Sequence, residues 1–544
     1  MKMVNCYNSL WFQIFCVSKI VLFVCADVYT SVYKMNQLVK EERKLLISLH
    51  NFIESERAEN TSVSKDLISF LNETQTQNTK LGNTTNYTAN PLNAYCMLHR
   101  IHNRWSEMMV KLDCDNCEHN NNTKEFIKKY KMVQEQLWPT KKDVTEAALG
   151  LFRLQNIYSL NLTELLQGRI ANTQTEPMTA NDVLKLIEIA NEHDMVYEEI
   201  LWLLALDELY RKSKIEKGTV EQNQIYRTIA SAYSMYGMPW VSLDYIEKCL
   251  KIKTNDKGCQ REKTFLQKKL KSIPGSKRTK IFEKPINSTS SQYQALCRGE
   301  DLLSSSRRAQ LKCIWRPTEN HYSRVKEEIM SYKPKIVVFH DVITDEEIQY
   351  ILEESQQKFN SSKVGDDDII QGMKTDIISQ RAWLWDSDPV LRRLSHRIGS
   401  ITGLNTQLKV FVSNAEPLQV LNYGLGAMYE PRVDYFESKE QLEKSASQFL
   451  IGSGDRIATW MLYMSNVTLG GATIFPKINV QIPVIKGSAV FWYNLKRNQR
   501  RDPKTLHASC PVAVGSKWVA NKWIHEVEQM FQRPCGLKIN AEDI

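Results

Sequence analysis

Residues 418–436 read LQVLNYGLGAMYEPRVDYF and open with a short strand candidate, Leu418–Val420. Other strand candidates of only a few residues surround it, separated by Gly, Pro and Asn turns. They are Ile336–Phe339, Leu408–Val412, Ile457–Met464, Ala472–Phe475, Ser488–Trp492 and Trp518–Trp523. Many short strands at close spacing are typical of a barrel or a two-sheet jelly roll. We therefore expect such a domain over residues 333–535, followed by a short tail at 536–544.

The front of the chain has a helical pattern instead. Over residues 27–138, apolar side chains recur at three- and four-residue steps, as on one face of a helix. They include Leu38, Leu45, Leu46, Leu49, Phe52, Leu67, Phe70 and Leu71. Two readings fit this pattern: a helical domain that pairs two chains, and an ordinary amphipathic bundle without a partner.

Residues 140–270 read as two helix pairs. The expected helices are Thr179–Asn191, Val196–Tyr210, Gln222–Tyr236 and Trp240–Ile252, with Gly237 and Pro239 breaking the third from the fourth. The pairs resemble tetratricopeptide repeats, although their roughly 43-residue offset exceeds the ~34-residue period of that repeat. We expect a repeat-like helical domain that binds extended peptides.

This helical segment is rich in tyrosine: Tyr197, Tyr210, Tyr226, Tyr233, Tyr236 and Tyr245. A concave face of flat rings suits proline-rich peptides, because a polyproline II helix is already extended and loses little entropy on binding. The alternative is that most of these rings belong to the core of the helical domain.

The N-terminus predicts entry to the secretory pathway. An apolar stretch from Leu10 to Cys25 ends in Val24-Cys25-Ala26, so residues 1–26 resemble a cleavable signal peptide; the alternative is a short membrane anchor. Asn-x-Ser/Thr sequons support this interpretation and crowd between Asn60 and Thr88. They occur at Asn60, Asn72, Asn83, Asn86, Asn121, Asn161, Asn287, Asn360 and Asn466. We therefore expect the protein to reside in an oxidising lumen and to have no stable membrane span.

Cysteine spacing in that environment allows disulfides. Three of the twelve cysteines would leave with the leader, so an odd number would remain. Cys297 with Cys313, and Cys510 with Cys535, are near enough in sequence to close local loops, although spacing alone does not fix the pairing. The first pair lies in residues 271–332, which contain Pro274, Gly275 and Pro285 and read as an inter-domain linker.

Length, composition and charge limit the classes of protein to which this chain can belong. The 544 residues are enough for several domains, and 42% apolar content is ordinary for globular chains. Lys and Arg number 71 against 62 Asp and Glu, a net charge of +9 that is spread along the chain. Nucleic-acid binding requires a clustered basic face, so we expect no nucleic-acid partner.

Several motifs together resemble the collagen prolyl 4-hydroxylase α-subunit family. They are residues 418–436, Asp455–Trp460, Gly470–Pro476, Gly487–Leu495, His507–Val512 and Lys517–Trp523, with a front match at 140–160 and at Cys297–Glu300. The resemblance covers essentially the whole chain after the leader. It implies helical N-terminal and peptide-binding domains, then a double-stranded β-helix that uses Fe(II), 2-oxoglutarate, O₂ and ascorbate to hydroxylate proline in collagen-like chains.

The family also implies a location and a partner. Its members work in the lumen of the endoplasmic reticulum, with protein disulfide isomerase as the β subunit of an α₂β₂-type assembly. No retention tetrapeptide is visible at Asn540–Ile544. We therefore expect residence in the reticulum to depend on that partner.

The resemblance assigns roles residue by residue. The family's iron site is two histidines and one carboxylate, which leave three metal positions open. Asp434 matches the carboxylate, His507 the distal histidine and Lys517 the cation that holds the far carboxylate of 2-oxoglutarate. Further matches are Tyr423 and Thr473 beside that carboxylate, Trp523 on the pocket wall and Tyr197, Tyr233 and Tyr236 in the peptide groove. Compared with the family pattern, Tyr233 and Tyr236 are displaced relative to Gly237. We therefore expect a peptide affinity different from that of collagen-hydroxylating relatives.

The sequence departs from the family where the first histidine is expected, at Arg432. A guanidinium stays protonated and has no lone pair for a metal. We expect Arg432 to form a salt bridge with Asp434, which would share its face on a strand, and iron to bind weakly. Of the other histidines, His525 follows the barrel strands and is interpreted as a surface residue.

Two main hypotheses follow. In one, the chain is an enzyme that hydroxylates proline with O₂, 2-oxoglutarate and Fe(II), impaired because Arg432 replaces an iron ligand; the alternative to impairment is that a nearby ligand or water supports residual turnover. In the other, it is a non-catalytic subunit that binds proline-rich peptides and assembles with disulfide isomerase. A third reading, a cytosolic helical-repeat adaptor, conflicts with the leader and the sequons.

Overall fold

A computed structural model describes most of the chain. The described residues are 31–59, 63–80, 82, 84–113, 121–215, 220–273, 280–283, 291–319, 323–361, 380–409, 412–438, 452–536 and 538. The predicted leader, the sequons at Asn60, Asn83 and Asn287, and nearly all of the tail lie outside them. Within the described part of the chain, no helix is both long and apolar enough to cross a membrane.

The front of the protein is helical, as expected. Helices α1 to α6 are Val32–Ala58, Lys65–Lys80, Thr84–Thr88, Pro91–His99, Ser106–Leu112 and Asn121–Leu137, with a π-helical turn at Arg100–Trp105 between the fourth and fifth. The predicted apolar positions of α1, among them Leu38, Leu45 and Leu49, are buried. Glu42 is buried on the same helix, where Arg100 and Trp105 donate hydrogen bonds to its carboxylate.

The next helices form the predicted pairs. Helices α7 to α13 are Lys141–Tyr158, Leu162–Leu166, Ala180–Glu192, Val196–Arg211, Gln222–Tyr236, Pro239–Ile252 and Lys257–Lys271, and a two-stranded hairpin of Arg169–Ile170 (β1) and Thr173–Gln174 (β2) lies between α8 and α9. All four expected helices are present within one or two residues. Thr140 and Thr179 begin α7 and α9 as capping boxes with Asp143 and Asp182, which satisfies free N–H groups of the first turns.

The back of the chain forms the predicted two-sheet domain. Its strands β3 to β16 are Cys313–Pro317, Arg324–Tyr332, Lys335–His340, Gln380–Leu384, Leu418–Tyr423, Tyr429–Arg432, Arg456–Tyr463, Val467–Gly470, Thr473–Phe475, Val480–Ile482, Ala489–Tyr493, His507–Ser509, Val512–Gly515 and Lys517–His525. Helices α14 to α17 are Ser291–Cys297, Ser305–Arg308, Asp345–Ser361 and Pro389–Thr402. Residues 313–317 and 324–332, which the sequence placed in the linker, thus belong to the sheet. In the expected strand Leu408–Val412, residues 408 and 409 are not in a strand and 410–411 lie outside the described residues.

The strands of this domain form two main antiparallel sheets that face each other and a separate two-stranded pair, β10-β15. The larger has eight strands in the order β3-β4-β5-β13-β9-β16-β7-β6, and the smaller has four in the order β12-β11-β14-β8. One face of the larger sheet packs on α16 and α17, with Trp460 and Val420 in that core. Its other face meets the small sheet around Tyr423, Tyr463 and Trp492, and this second core contains the candidate site.

The helical and sheet halves meet at a close contact. A Cβ on Gly426 would lie 2.9 Å from the Cα of Gly150 in α7, and Gly426 has a positive φ of 69°, so both steric room and conformation require glycine there. Arg153 of the same helix donates a hydrogen bond of 2.6 Å to the Gly426 carbonyl. Val514 of β15 is part of the helical core, so the halves share buried apolar surface.

The disulfides differ from the local loops considered from the sequence. Cys297 bonds to Cys510, and Cys249 bonds to Cys259, while Cys313 and Cys535 are free, exposed thiols. The expected pairings of Cys297 with Cys313 and of Cys510 with Cys535 were therefore wrong. The physical reason is tertiary: α14 packs on the small sheet through Leu296, Ile474 and Ala508, which brings Cys297 beside Cys510.

Candidate functional site

Strand pairing brings the predicted metal residues together. In the ladder between β14 and β8, His507 lies directly opposite Arg432. Asp434 follows two residues after β8 ends, and its Oδ1 lies 3.6 Å from Nε2 of His507. We call Arg432, Asp434 and His507 the metal end of the pocket.

The ring of His507 is fixed in orientation. Its Nδ1 lies 3.0 Å from the carbonyl oxygen of Thr505, and because a carbonyl can only accept, Nδ1 carries a hydrogen. Nε2 therefore faces the carboxylate of Asp434. The ring is packed by Trp492 and Phe475, at centroid distances of 4.8 and 5.7 Å. This is the orientation in which a histidine ligand presents its lone pair to a cation.

A chain of hydrogen bonds orients Asp434. Thr459 donates through Oγ1 to Oδ2 of Asp434 at 2.7 Å and accepts from Nδ2 of Asn494 at 2.9 Å. Nε1 of Trp492 donates in turn to Oδ1 of Asn494 at 2.8 Å. Thr459 and Asn494 were not identified from the sequence. The signal for Thr459 is the alternation of β9, which turns Thr459, Met461 and Tyr463 toward the pocket.

The expected salt bridge between Arg432 and Asp434 was wrong. Among the described residues, the carboxylate of Asp434 contacts Thr459 and His507, whereas the guanidinium of Arg432 lies over the ring of Tyr429. The prediction assumed one continuous strand, but β8 ends at Arg432 and Asp434 lies in a bend, so the two side chains do not share a strand face.

The residues at this end do not fit the three-donor iron site. One imidazole and one carboxylate are placed as two ligands of one cation, but the position that the family resemblance gives to a further histidine has a guanidinium. That group has no lone pair and repels a dication. The chemistry of the donor set therefore disagrees with a 2-His-1-carboxylate centre.

A buried lysine marks the opposite end of the pocket. Lys517 is 1% exposed, and its Nζ donates to Oγ of Ser509 at 2.8 Å. Burial lowers the pKa of Lys517 to about 7, because the charged ammonium loses its hydration. A carboxylate ligand would supply the missing counter-charge. Ser509 was missed from the sequence, although it lies two residues after His507 and thus on the same strand face.

Two tyrosine rings lie near this ammonium. Lys517 pairs with Tyr423 across neighbouring strands and lies 4.9 Å from the centre of that ring and 5.8 Å from Tyr463. Tyr463 donates to Oγ1 of Thr473 at 2.7 Å. Burial raises the pKa of both tyrosines, so they stay neutral hydrogen-bond donors. We call Lys517, Ser509, Tyr423, Tyr463 and Thr473 the anion end of the pocket.

Trp523 lies on the same face of β16 as Lys517, six residues along, and packs on a buried ion pair. The guanidinium of Arg456 is 3.9 Å from its ring centre and is bonded to Glu416 through Nε at 2.5 Å and Nη2 at 3.0 Å. His525 completes the group, with Nε2 3.0 Å from Oε1 of Glu416. Arg456 also reaches the backbone carbonyl of Asp434 at 3.4 Å.

The surface interpretation of His525 was wrong, since the residue is fully buried. Its partners are Glu416 and the carbonyl of Gly454, both distant in sequence. Burial by itself would raise the pKa of Glu416, but Arg456 and His525 outweigh it and lower that pKa to about 2. The Glu416–Arg456–His525 network is thus a buried, compensated set of charges behind Asp434.

The three predicted groove tyrosines also come together. Tyr197 on α10 and Tyr233 and Tyr236 on α11 all contact the ring of Phe282. Tyr233 is buried and stacks on Tyr245, so both readings of the tyrosines hold in part: some rings are core, and some line a surface. Phe282, between two ranges outside the described residues, gave no sequence signal for this contact.

Two protein-family models match this chain, one in the helical half and one in the sheet half. Residues 31–172 match the family model described as Prolyl 4-Hydroxylase alpha-subunit, N-terminal region, and residues 418–525 match that of the 2OG-Fe(II) oxygenase superfamily. A solved viral collagen prolyl hydroxylase from Paramecium Bursaria Chlorella virus-1, in its 2OG complex, is similar at 23% identity over 36% of this chain and 96% of that chain, with a TM-score of 0.27.

Curated relatives are similar along nearly the whole length. Prolyl 4-hydroxylase subunit alpha-1 of Rattus norvegicus is 31% identical over 540 residues, 94% of this chain and 95% of the relative. Prolyl 4-hydroxylase subunit alpha-2 of Gallus gallus is 32% identical over 534 residues, with the same coverage of 94% and 95%. The chain therefore belongs to the prolyl 4-hydroxylase alpha-subunit family.

Proposed function

We propose that this chain is an alpha-type subunit that binds proline-rich, collagen-like segments and 2-oxoglutarate, with its proline 4-hydroxylation impaired. The proposed location is the lumen of the endoplasmic reticulum, and the proposed partner is the protein disulfide isomerase β subunit in an α₂β₂-type assembly. Membership of the alpha-subunit family supports both. The leader-like N-terminus and the sequons add to that support.

One observation carries the impaired chemistry: Arg432 lies directly opposite His507 in the β14–β8 ladder. The family's first iron ligand is thereby replaced by a permanent cation. Asp434 and His507 remain as two donors, and two donors beside a positive charge hold a dication far less well than three. We therefore assign no reaction step to this end of the pocket.

The anion end supports binding of 2-oxoglutarate. Lys517 is buried and bonded to Ser509, and the ring centre of Tyr463 lies 5.8 Å from its Nζ. A ligand carboxylate beside Nζ would neutralise an ammonium whose pKa burial has lowered to about 7. In this proposal, Lys517 holds the far carboxylate of the keto acid, Tyr423 and Thr473 flank it, and Trp523 forms part of the wall.

Residual turnover is the second candidate function. The buried Lys517 and the oriented His507–Asp434 pair favour it, because the resemblance assigns these groups to binding of co-substrate and metal. In this case the chain hydroxylates proline with O₂, 2-oxoglutarate and Fe(II), and ascorbate restores over-oxidised iron.

The test is succinate release by the full chain assembled with disulfide isomerase, together with equilibrium Fe(II) binding. Arg432→His restores a third donor, so we expect iron affinity to rise by at least the ~10–100-fold that even an outer-shell partner contributes, with succinate release rising alongside. The unmodified subunit should stay near background.

Two variants make this test specific. Arg432→Lys keeps the positive charge without a usable ligand and should remain inactive. Asp434→Asn in the Arg432→His background should remove what the histidine restored, because two donors are again left. Turnover by the unmodified subunit equal to that of Arg432→His would contradict the proposal and favour the second candidate function.

A further inference from the structure

The peptide-binding helices present an aromatic surface that is already in contact with another part of the chain. We call the rings of Tyr197, Tyr233 and Tyr236 the tyrosine groove. Tyr233 forms its floor, since it is buried and stacked on Tyr245 at 5.9 Å, whereas Tyr197 and Tyr236 are half-buried at its edges. Flat rings arranged in this way bind extended chains through ring faces and hydroxyl groups.

Phe282 lies in this groove. Its ring stacks on Tyr197 with a centroid distance of 4.9 Å and an interplanar angle of 28°. It meets Tyr236 edge-on at 5.2 Å and Tyr233 edge-on at 5.7 Å. One side chain therefore contacts all three rings, each within the distance range of favourable aromatic pairs.

Polar contacts fix the residues on both sides of Phe282. The hydroxyl of Tyr236 donates to the carbonyl of Glu283 at 2.9 Å. The ammonium of Lys280 lies 4.1 Å from the centre of the Tyr236 ring and donates to the carbonyl of Tyr236. Ile281, in contrast, is 71% exposed. The segment thus uses one inward side chain, its backbone and one cation, as a bound peptide would.

We infer that Lys280–Glu283 is an internal ligand of the tyrosine groove, and that a proline-rich peptide binds by displacing Phe282. This inference rests on the proposed function, because it assigns the same groove to that peptide. Two ligands cannot stack on the ring face of Tyr197 or take the hydroxyl hydrogen of Tyr236 at once. The internal contact must therefore be broken before the peptide binds, and its free energy weakens the apparent affinity for the peptide.

The affinity follows from the fraction of molecules with an open groove. A ligand that binds only the open form has an apparent dissociation constant equal to its intrinsic value divided by that fraction. Removing the internal ligand without touching the tyrosines should strengthen binding by that factor. An aromatic residue that instead formed part of the binding surface would have the opposite effect when removed.

The first experiment measures poly-L-proline binding by calorimetry, with the full chain assembled with disulfide isomerase. Phe282→Ala should lower the dissociation constant by about five- to tenfold, if the internal contact occupies roughly nine molecules in ten. Ile281→Ala is the matched control, since it shortens an exposed side chain of the same segment and should leave the constant unchanged. Equal or weaker binding by Phe282→Ala overturns the inference.

A second measurement separates this inference from the proposed function. 4-Fluorophenylalanine incorporated at position 282 gives one fluorine resonance, which should shift in Tyr197→Ala without any peptide. Poly-L-proline added to the unmodified groove should move it toward its position in the unfolded chain. Peptide binding with an unmoved resonance overturns the competition alone, whereas no binding by any variant, Phe282→Ala included, overturns the proposed peptide binding and the competition with it.

Discussion

The two ends of the barrel pocket carry similar charges but differ in what those charges allow. At the anion end, the ammonium of Lys517 is buried and donates to one hydroxyl, that of Ser509. A ligand carboxylate would neutralise its charge. At the metal end, the guanidinium of Arg432 stands opposite His507, where an imidazole would be needed to complete a metal site. A cation is an advantage at the first end and an obstacle at the second.

This difference teaches that anion binding and metal binding are separable within one fold. Around Arg432, the ring of His507 is oriented, Asp434 is hydrogen-bonded and a buried ion pair lies behind it. A single side chain changes the donor set while the scaffold that would hold it is intact. The comparison predicts that each end can be damaged or improved independently.

The largest expected effect concerns the scaffold of the metal end. Glu416→Gln leaves Arg456 and His525 buried without their carboxylate, and breaking such a group typically costs about 3–5 kcal/mol. We expect the free energy of unfolding of the barrel to fall by that amount in urea titrations. Glu328→Gln is the control. Glu328 and His340 form a partly exposed pair, so the free energy of unfolding should change little.

The same variant has a pH signature. The pKa of Glu416 is lowered from an ordinary 4.5 to about 2 in the folded protein, so its stabilisation is present above pH 4.5 and is lost as pH falls toward 2. The unmodified barrel should lose stability over that acid range, and Glu416→Gln should flatten this part of the profile. An unchanged profile would show that the network does not stabilise the metal end.

The second effect tests the anion end. Lys517→Met removes the buried cation, and truncating one member of a buried charge pair costs about 2–5 kcal/mol of binding. We expect calorimetry in metal-free buffer to show 2-oxoglutarate binding reduced accordingly. Asp434→Asn, at the other end, should leave metal-free binding nearly unchanged. Equal losses in the two variants would mean that the ends act as one unit.

The smallest effect is the pH dependence of that binding. Lys517 has a lowered pKa of about 7, so it is neutral above that pH and cannot hold a carboxylate. Binding of 2-oxoglutarate should weaken by up to about tenfold per unit as the pH rises above 7, with proton uptake on binding. Lys517→Arg stays charged and should give a flat profile. A flat profile for the unmodified protein would contradict the assignment.

Local signals in the sequence were enough for much of the fold. The amphipathic spacing and the break at Gly237 and Pro239 predicted the bounds of the four paired helices within one or two residues. Short strands separated by turns gave the two-sheet class. Asp434, His507 and Lys517 were assigned by resemblance; the structure brings Asp434 beside His507 and Lys517 beside Ser509, and their roles stay predictions.

Long-range partners could not be predicted from the same signals. His525 read as a surface residue because Glu416 is 109 positions away, and Cys297 had a nearer candidate than Cys510, 213 residues on. The bend after Arg432 could not be read from Val433 alone, and it decides which group faces Asp434. Burial of a charge depends on a partner from another element, so it is invisible to spacing.

At Gly150 and Gly426, the backbones of the helical half and the sheet half approach each other closely. With no side chain on either, helix Lys141–Tyr158 lies against the loop that joins β7 to β8, and Val514 of β15 is buried among helical residues. Cutting the chain between the halves would uncover apolar surface on both fragments. The protein is therefore best handled uncut, and any enlargement at position 426 would push helix Lys141–Tyr158 away from the loop that joins β7 to β8.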